Sequence, residues 1–324
     1  MAFIRKKNIN GEDYYYYVEN YKKKEKVIQK NLKYIGKNEP DKNLLKELEE
    51  EFTEKKIQKL IRTKIEFEPY KVDTNFLKKC DQVKQYFFNN LSTLSKEGKK
   101  QLINRFKTGF TYHSCSIEGN TLSRNQVDMV INKKESIDGK KLFELQEVKN
   151  HNKAIEYMLS ENSDLSELFI KKLHEVLMKD ILEYKEDDQN FVIGGYRCDQ
   201  RFIEGADFIP IPPILIPFEM KELITFYKKN KYIIHPIELA SEIHLKFAII
   251  HPFSDGNGRM ARLIMNFILD RSGFPMIDIS VKNREKYIHA LSTGNSKNLT
   301  LFIYEELKNY VKHLFQNSLE NNFY

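Results

Sequence analysis

Twelve consecutive residues, His251 to Arg262, hold an imidazole, a carboxylate, two glycines around an asparagine and two guanidinium groups. A phosphate-transfer site needs these parts. The imidazole of His251 has an ordinary pKa of about 6.5, so near neutral pH it can accept a proton. Asp255 offers a hard oxygen, which suits Mg²⁺ carried by a nucleotide, because Mg²⁺ takes one or two carboxylates with phosphates and water. Gly256 and Gly258 can adopt positive φ and leave the N–H groups around Asn257 uncovered. Such amides, turned toward one point, bind an anion. Arg259 and Arg262 are three apart and can share one face of a helical turn, each presenting a planar fork to phosphate oxygens.

Two helices must position this loop. Upstream, Ile237, Ala240, Ile243, Phe247 and Ala248 recur at helical spacing, so a buried helix ends at His251, before Pro252. Downstream, Met260, Leu263, Ile264, Phe267 and Ile268 recur at three and four, and a second helix begins near Gly258. Taken singly, each residue has a structural reading: a histidine at a helix end, a Gly-Asn-Gly turn, a solvated arginine face, an aspartate cap. Their convergence is what points to chemistry.

The stretch His-Pro-Phe-x-Asp-Gly-Asn-Gly-Arg-x-x-Arg resembles the signature of Fic proteins, with every specified position met between His251 and Arg262. The resemblance runs from about Asn75 to His313. It implies an all-helical domain that transfers AMP from ATP to a hydroxyl of a target protein. On that reading Gly256, Asn257 and Gly258 hold the phosphates, Asp255 holds Mg²⁺, Arg259 steadies the β-phosphate and Arg262 the γ-phosphate. His251 is then the base. Ser114-Cys115-Ser116-Ile117-Glu118-Gly119 looks like the family's inhibitory motif, in the subclass whose inhibitory helix precedes the core. This implies that Glu118 pairs with Arg262 and keeps it from ATP. The residue-level alternative is a helix that simply ends before Gly119. Residues 194–213 run from Gly194-Gly195-Tyr196-Arg197 to Pro210-Ile211-Pro212-Pro213 and read as a short hairpin with irregular flanks. In the family a flap here pairs with the target segment as an added strand. Asn283 and Tyr287 resemble the segment beside the adenine pocket.

Composition sets the outer limits. The chain has 324 residues, 41% hydrophobic, and no apolar run approaching the ~20 residues of a membrane span. No apolar leader follows Met1, and Cys80, Cys115 and Cys198 form no CxxC, so a reducing cytoplasm is expected. The net charge of +7 is concentrated at one end: residues 1–37 carry ten Lys/Arg against four carboxylates, a surplus of six. That end predicts three antiparallel strands (Ala2–Lys7, Tyr14–Tyr21, Lys26–Tyr34), then a helix from about Asp41 to Lys64. A basic, tyrosine-bearing sheet can contact nucleic acid, or it can be a solvated sheet that docks on protein.

Amphipathic helices are expected at about 75–92, 97–117, 124–134, 142–160, 166–182, 216–230, 236–251, 258–272, 283–293 and 299–315. Ser123 and Ser166 are the expected N-caps. The predicted architecture is mainly α: a Fic-type helical bundle over 75–324 with its inhibitory helix at about 97–118 and a small β-hairpin flap. A helical linker spans 39–74 and a basic β-rich module spans 1–38. Removal of AMP by water or another nucleotidyl transfer at the same site, and a DNA-binding regulator acting through the basic end, stay open as alternative functions. Oligomeric state is open too, a homo-oligomer included; the target protein is not written in these residues.

Overall fold

The computed structural model describes residues 2–9, 11–23, 26–48, 51, 73–181, 191–201 and 209–315. The chain divides into two units, Met1–Phe67 and Glu68–Tyr324.

The first unit is an antiparallel meander of β1 (Ala2–Ile9), β2 (Glu12–Lys23) and β3 (Lys26–Gly36), in the order β1-β2-β3. The three expected strands are therefore present, each somewhat longer than expected. Gly11, at φ +84°, makes the first turn. Tyr15, Tyr17 and Val18 are buried. Tyr14, Tyr16 and Tyr34 cluster instead with each other, with ring centroids 6.3 Å (Tyr14–Tyr34) and 5.2 Å (Tyr16–Tyr34) apart. Part of the basic charge is already paired: Lys6 with Asp13 (2.7 Å), Lys33 with Glu51 (2.8 Å) and Lys37 with Glu12. Residues 42–48 are helical; most of the helix expected to run on to Lys64 lies outside the described residues.

The second unit is built from helices: α1 (Thr74–Thr93), α2 (Lys96–Ile117), α3 (Arg124–Asp128), α4 (Leu142–Ser160), α5 (Glu167–Leu177), α6 (Ile216–Asn230), α7 (Pro236–Ile250), α8 (Asn257–Arg271), α9 (Arg284–Ser292) and α10 (Ser296–Leu314). Ser123 and Ser166 cap as expected, accepting from the N–H of Gln126 (3.3 Å) and Phe169 (3.1 Å). Two expectations change. The helix expected over 124–134 widens after Asp128 into a π turn, Met129–Lys133, which ends at Lys134 with φ +59°. The helix expected to reach 182 stops at Leu177, and Asp180 has turned to φ +59°.

The two halves of the core meet at α7 and α8. From Asn257 to Leu269, α8 is buried at every position except Gly258. A helix buried almost all round belongs at the centre of a bundle, and α8 packs against α2, α4, α5 and α7. Burying Leu263, Ile264, Phe267 and Ile268 contributes ~1.5–3 kcal/mol each. Pro236 at the first turn of α7 and His235, whose Nδ1 accepts from the N–H of Ile237 (3.2 Å), fix where α7 starts.

The described limbs of the expected flap, 191–201 and 209–212, contain no strand; residues 202–208 lie outside the described set. Pro210, Pro212 and Pro213 remove three backbone donors, which keeps the second limb irregular, as expected of the hairpin's flanks. The limbs are tied by side chains instead, with Gln200 Nε2 donating to the Pro210 carbonyl (3.0 Å).

Candidate active site

The turn from α7 to α8 is a strained and heavily stapled loop. His251 takes the left-handed conformation (φ 48°, ψ 59°) at the end of α7. A non-glycine residue there costs ~1–2 kcal/mol, and such strain persists only where surroundings over-determine it. Here they do. The His251 N–H donates to the Phe247 carbonyl (2.9 Å), and Arg197 Nε donates to the His251 carbonyl (2.6 Å). The Arg197 guanidinium, 2% exposed, also donates to the carbonyls of Asp199, Ile211 and Ile250. One buried cation thus clamps both limbs of the 191–212 segment onto the carbonyl end of α7, where a helix dipole favours positive charge.

Burial, and then the Arg197 charge, push the His251 imidazole down to about 4, against the Ala248 backbone and the Glu118 and Asp255 carboxylates. The ring is therefore neutral at physiological pH.

Asn257 closes the loop with its side chain. Its Oδ1 accepts from the Phe253 N–H (3.0 Å) and its Nδ2 donates to the Phe253 carbonyl (2.7 Å). The amide is spent on that pair, so any contribution of Asn257 to anion binding comes from its backbone. Gly256, at φ +77°, is the N-cap of α8, and a Cβ there would meet Met178 Sδ at 3.0 Å. The first bond of the α8 ladder runs from the Met260 N–H to the Gly256 carbonyl (2.9 Å). The N–H groups of Asn257, Gly258 and Arg259 precede that ladder, as the donors of a helix N-terminus do.

The two arginines share a helix but face different partners. Arg259, 2% exposed, bonds Glu147 of α4 (3.1 Å) and lies 3.6 Å from Asp255; its Nε is buried with no partner among the described residues. Glu147 is in turn fixed by Asn120 Nδ2 (3.0 Å). Arg262, 1% exposed, donates from Nε to Ser114 Oγ (3.0 Å) and from Nη2 to the Ser114 carbonyl (2.9 Å) and Glu118 Oε1 (2.8 Å). Burial pulls the Arg262 pKa down, but the charges and hydrogen bonds of Glu118 and Tyr287 together more than offset it.

Glu118 arrives by a defined route. The Asn120 N–H bonds the Cys115 carbonyl (3.1 Å) and the Gly119 N–H bonds the Ser116 carbonyl (3.1 Å). With Gly119 at φ +99°, this is a Schellman ending of α2. It stops the helix so that Glu118 projects over Gly258. An ideal Cβ on Gly258 would lie 2.2 Å from Glu118 Oε1. The carboxylate therefore covers the start of α8.

Asp255 Oδ1 accepts from the N–H of Gly256 (2.6 Å), and the side chain is 31% exposed. No cluster of three or more His, Cys, Asp or Glu side chains that could hold a metal occurs among the described residues. One part-exposed carboxylate beside unladdered amides suits a Mg²⁺ ion whose remaining ligands are phosphate and water.

Asn283 and Tyr287 are both engaged within the protein. Asn283 Nδ2 is bonded to Glu306 (2.7 Å), and Tyr287, 2% exposed, has its hydroxyl on His244 Nε2 (2.8 Å) and near Arg262 Nη1 (3.5 Å). Tyr287 thus backs the Arg262 guanidinium from inside the core, its ring centroid 5.7 Å from the guanidinium carbon.

His174 of α5 belongs to the site although its sequence context gave no sign of it. Its Nδ1 accepts from the Gly194 N–H (2.9 Å), so Nε2 carries the proton and donates to the Asp255 carbonyl (3.1 Å). The ring stacks on Phe253 at 3.8 Å and 6°. Burial pushes His174 down to about 4, which keeps this tautomer neutral. Glu147 was likewise missed, since only packing of α4 on α8 brings it to Arg259.

Residues 164–269 match the Fic/DOC family model. The chain is 35% identical over 197 residues to the protein adenylyltransferase Fic of Nematostella vectensis, covering 59% of this chain and 44% of that protein. It is 32% identical over 199 residues to the protein adenylyltransferase fic-1 of Caenorhabditis elegans, covering 60% and 38%. The chain thus spans less than half the length of these relatives. Among solved structures, a Fic-domain-containing signalling protein of Bacteroides thetaiotaomicron matches with a TM-score of 0.64 at 27% identity, over 72% of this chain and 94% of that one.

Proposed function

Since the chain carries a Fic/DOC domain over residues 164–269, we propose that it is a protein adenylyltransferase held in check by its own Glu118. The observation that carries this reading is the convergence of a neutral His251, the unladdered amides of α8 and two buried guanidiniums on one loop. The chain's protein adenylyltransferase relatives agree with it.

ATP lies along residues 256–259, its phosphates on the backbone N–H groups, with Arg259 and Arg262 on the outer phosphates. Asp255 holds Mg²⁺, which when bound spreads the charge of the phosphate chain. A Ser, Thr or Tyr hydroxyl of the target, docked along the 194–213 segment, attacks the α-phosphorus; its proton passes to His251 and pyrophosphate leaves. Positioning and charge supply most of the acceleration, while loss of a general base costs about 10²–10⁴-fold. In the resting state Glu118 occupies Arg262 and covers Gly258, so the phosphate tail cannot settle. Hydrolytic removal of AMP is a second reading, favoured by the 38% exposure of the Glu118 side chain beside the base, where it can align water.

His251→Ala with labelled ATP tests the chemistry: transfer to a target, or to the chain itself, should disappear while nucleotide binding by titration persists. Undiminished labelling would exclude the base. Mass spectrometry of a modified target incubated with and without ATP separates the two directions.

A further inference from the structure

On the far half of α2 from Glu118, a cleft of about 620 Å³ opens between α2, α3 and the π turn. Its walls carry Arg105, Arg124 and Lys133, with the amides of Asn104 and Asn125 between them. We propose that this cleft is a second anion site, for a small ligand bearing two or more phosphoryl groups.

The charge is not balanced. Among the described residues none of the three cations has an ion-pair partner, whereas Arg259 and Arg262 of the active loop are both paired. The one carboxylate in the lining, Asp128, is held by Asn132 Nδ2 (2.7 Å) and offsets one of the three cations, leaving a surplus of positive charge. Asp278 lies near Arg124, since a Cβ on Gly109 would be 2.8 Å from Asp278 Oδ2 and 3.4 Å from Arg124 Nη2. Burial raises the Asp278 carboxyl to about 8, so most of it is protonated at neutral pH and it adds little negative charge.

The cleft has a built shape. Gly109 leaves room for the Arg124 guanidinium to lie along α2. The π turn swings Asn132 back to Thr108, with Nδ2 to Oγ1 at 3.1 Å, which ties the two walls together. π turns occur disproportionately at functional sites. Two arginine forks in one cleft match the oxygens of a phosphate chain, and the volume is that of a small-molecule site. Thirteen residues of α2, ~20 Å, separate Arg105 from Glu118, so this ligand does not share the active loop.

Hydrogen–deuterium exchange on the intact chain, with inorganic pyrophosphate as probe, reads the two places separately. At ten times the Kd, exchange through ligand-releasing openings should slow about tenfold in peptides covering 104–108 and 124–133. The double variant Arg105→Ala/Arg124→Ala should lose that protection and leave any protection of 251–262 unchanged. Both side chains are exposed, and unaltered exchange in α7 and α8 would establish that the variant is folded. Protection confined to 251–262, or persisting in the double variant, overturns the proposal. So does protection given by a polynucleotide but not by pyrophosphate. Failure here leaves the reading of the active loop intact, because the 251–262 peptides report on that loop independently.

Discussion

Removing the Glu118 carboxylate separates what it does by charge from what it does by occupancy. Arg262 keeps its two bonds to Ser114 when Glu118 is lost (3.0 and 2.9 Å), so the guanidinium stays in place. What disappears is one charge-assisted bond of 2.8 Å. Such a bond contributes ~1.5–3 kcal/mol. The figure falls toward ~1–2 kcal/mol because the Glu118 side chain is 38% exposed and because a carboxylate sits unfavourably at a helix C-terminus. If a nucleotide must break this bond to settle, then Glu118→Gly should raise self-labelling with ATP about 5–30-fold. The melting temperature should fall only slightly. Glu118→Gln keeps the shape over Gly258 but not the charge, so it should label at an intermediate level. Labelled-ATP incorporation measures all three proteins side by side. Labelling by the folded Gly variant no higher than wild type would refute the reasoning. A Gln variant as active as Gly would show that charge alone closes the site.

Gly119→Ala meets no neighbour within 4 Å but must hold φ near +99°; strain of ~1–2 kcal/mol should lower the melting temperature and, by loosening the end of α2, raise labelling. His174→Ala leaves the Gly194 N–H and the Asp255 carbonyl without their partner and opens a cavity under Phe253, costing ~2–4 kcal/mol in denaturant unfolding. Burial holds His113, His174 and His251 at about 4 and His244 at about 3. Their unfolded values lie near 6.5, so the unfolded chain binds more protons between those limits and stability should fall steadily as pH drops from about 6.5 toward 4. Asp278, raised to about 8, runs the other way, as do Asp270 and Glu306, also raised by burial. His151 and His235 are lowered too, so three carboxyls stand against six histidines. The unfolded chain releases the Asp278 proton first, so its contribution declines from about pH 4 up to 8. The net optimum should sit near pH 6.5, and a melting temperature unchanged between pH 6.5 and 4.5 would contradict this sum.

The helices were legible because their apolar spacing is local. α7 and α8 begin and end within two residues of where Ile237–Ala248 and Met260–Ile268 put them, and Ser123 and Ser166 cap where a hydroxyl before a helix should. The loop residues were legible by type, but their partners were not. That Asn257 spends its amide on Phe253, that Arg259 leans on Glu147, and that Tyr287 backs Arg262 are outcomes of packing between distant segments. His174 is the clearest case: a histidine on an amphipathic helix reads as core, and only the approach of Gly194 and Asp255 gives both its nitrogens work. The 194–213 segment was legible only in its flanks. Glycines at one end and prolines at the other give limbs without a strand, because the prolines withhold donors, while residues 202–208 between them lie outside the described set.

Gly258 carries a last implication. With Glu118 Oε1 seated 2.2 Å from where a methyl would stand, only a hydrogen at that α-carbon is compatible with the closed arrangement. The smallest side chain there would act as a wedge, prising the latch away while intruding on the space it guards. Lock and keyhole thus share a single atom's width, and neither can be altered at that point without disturbing the other.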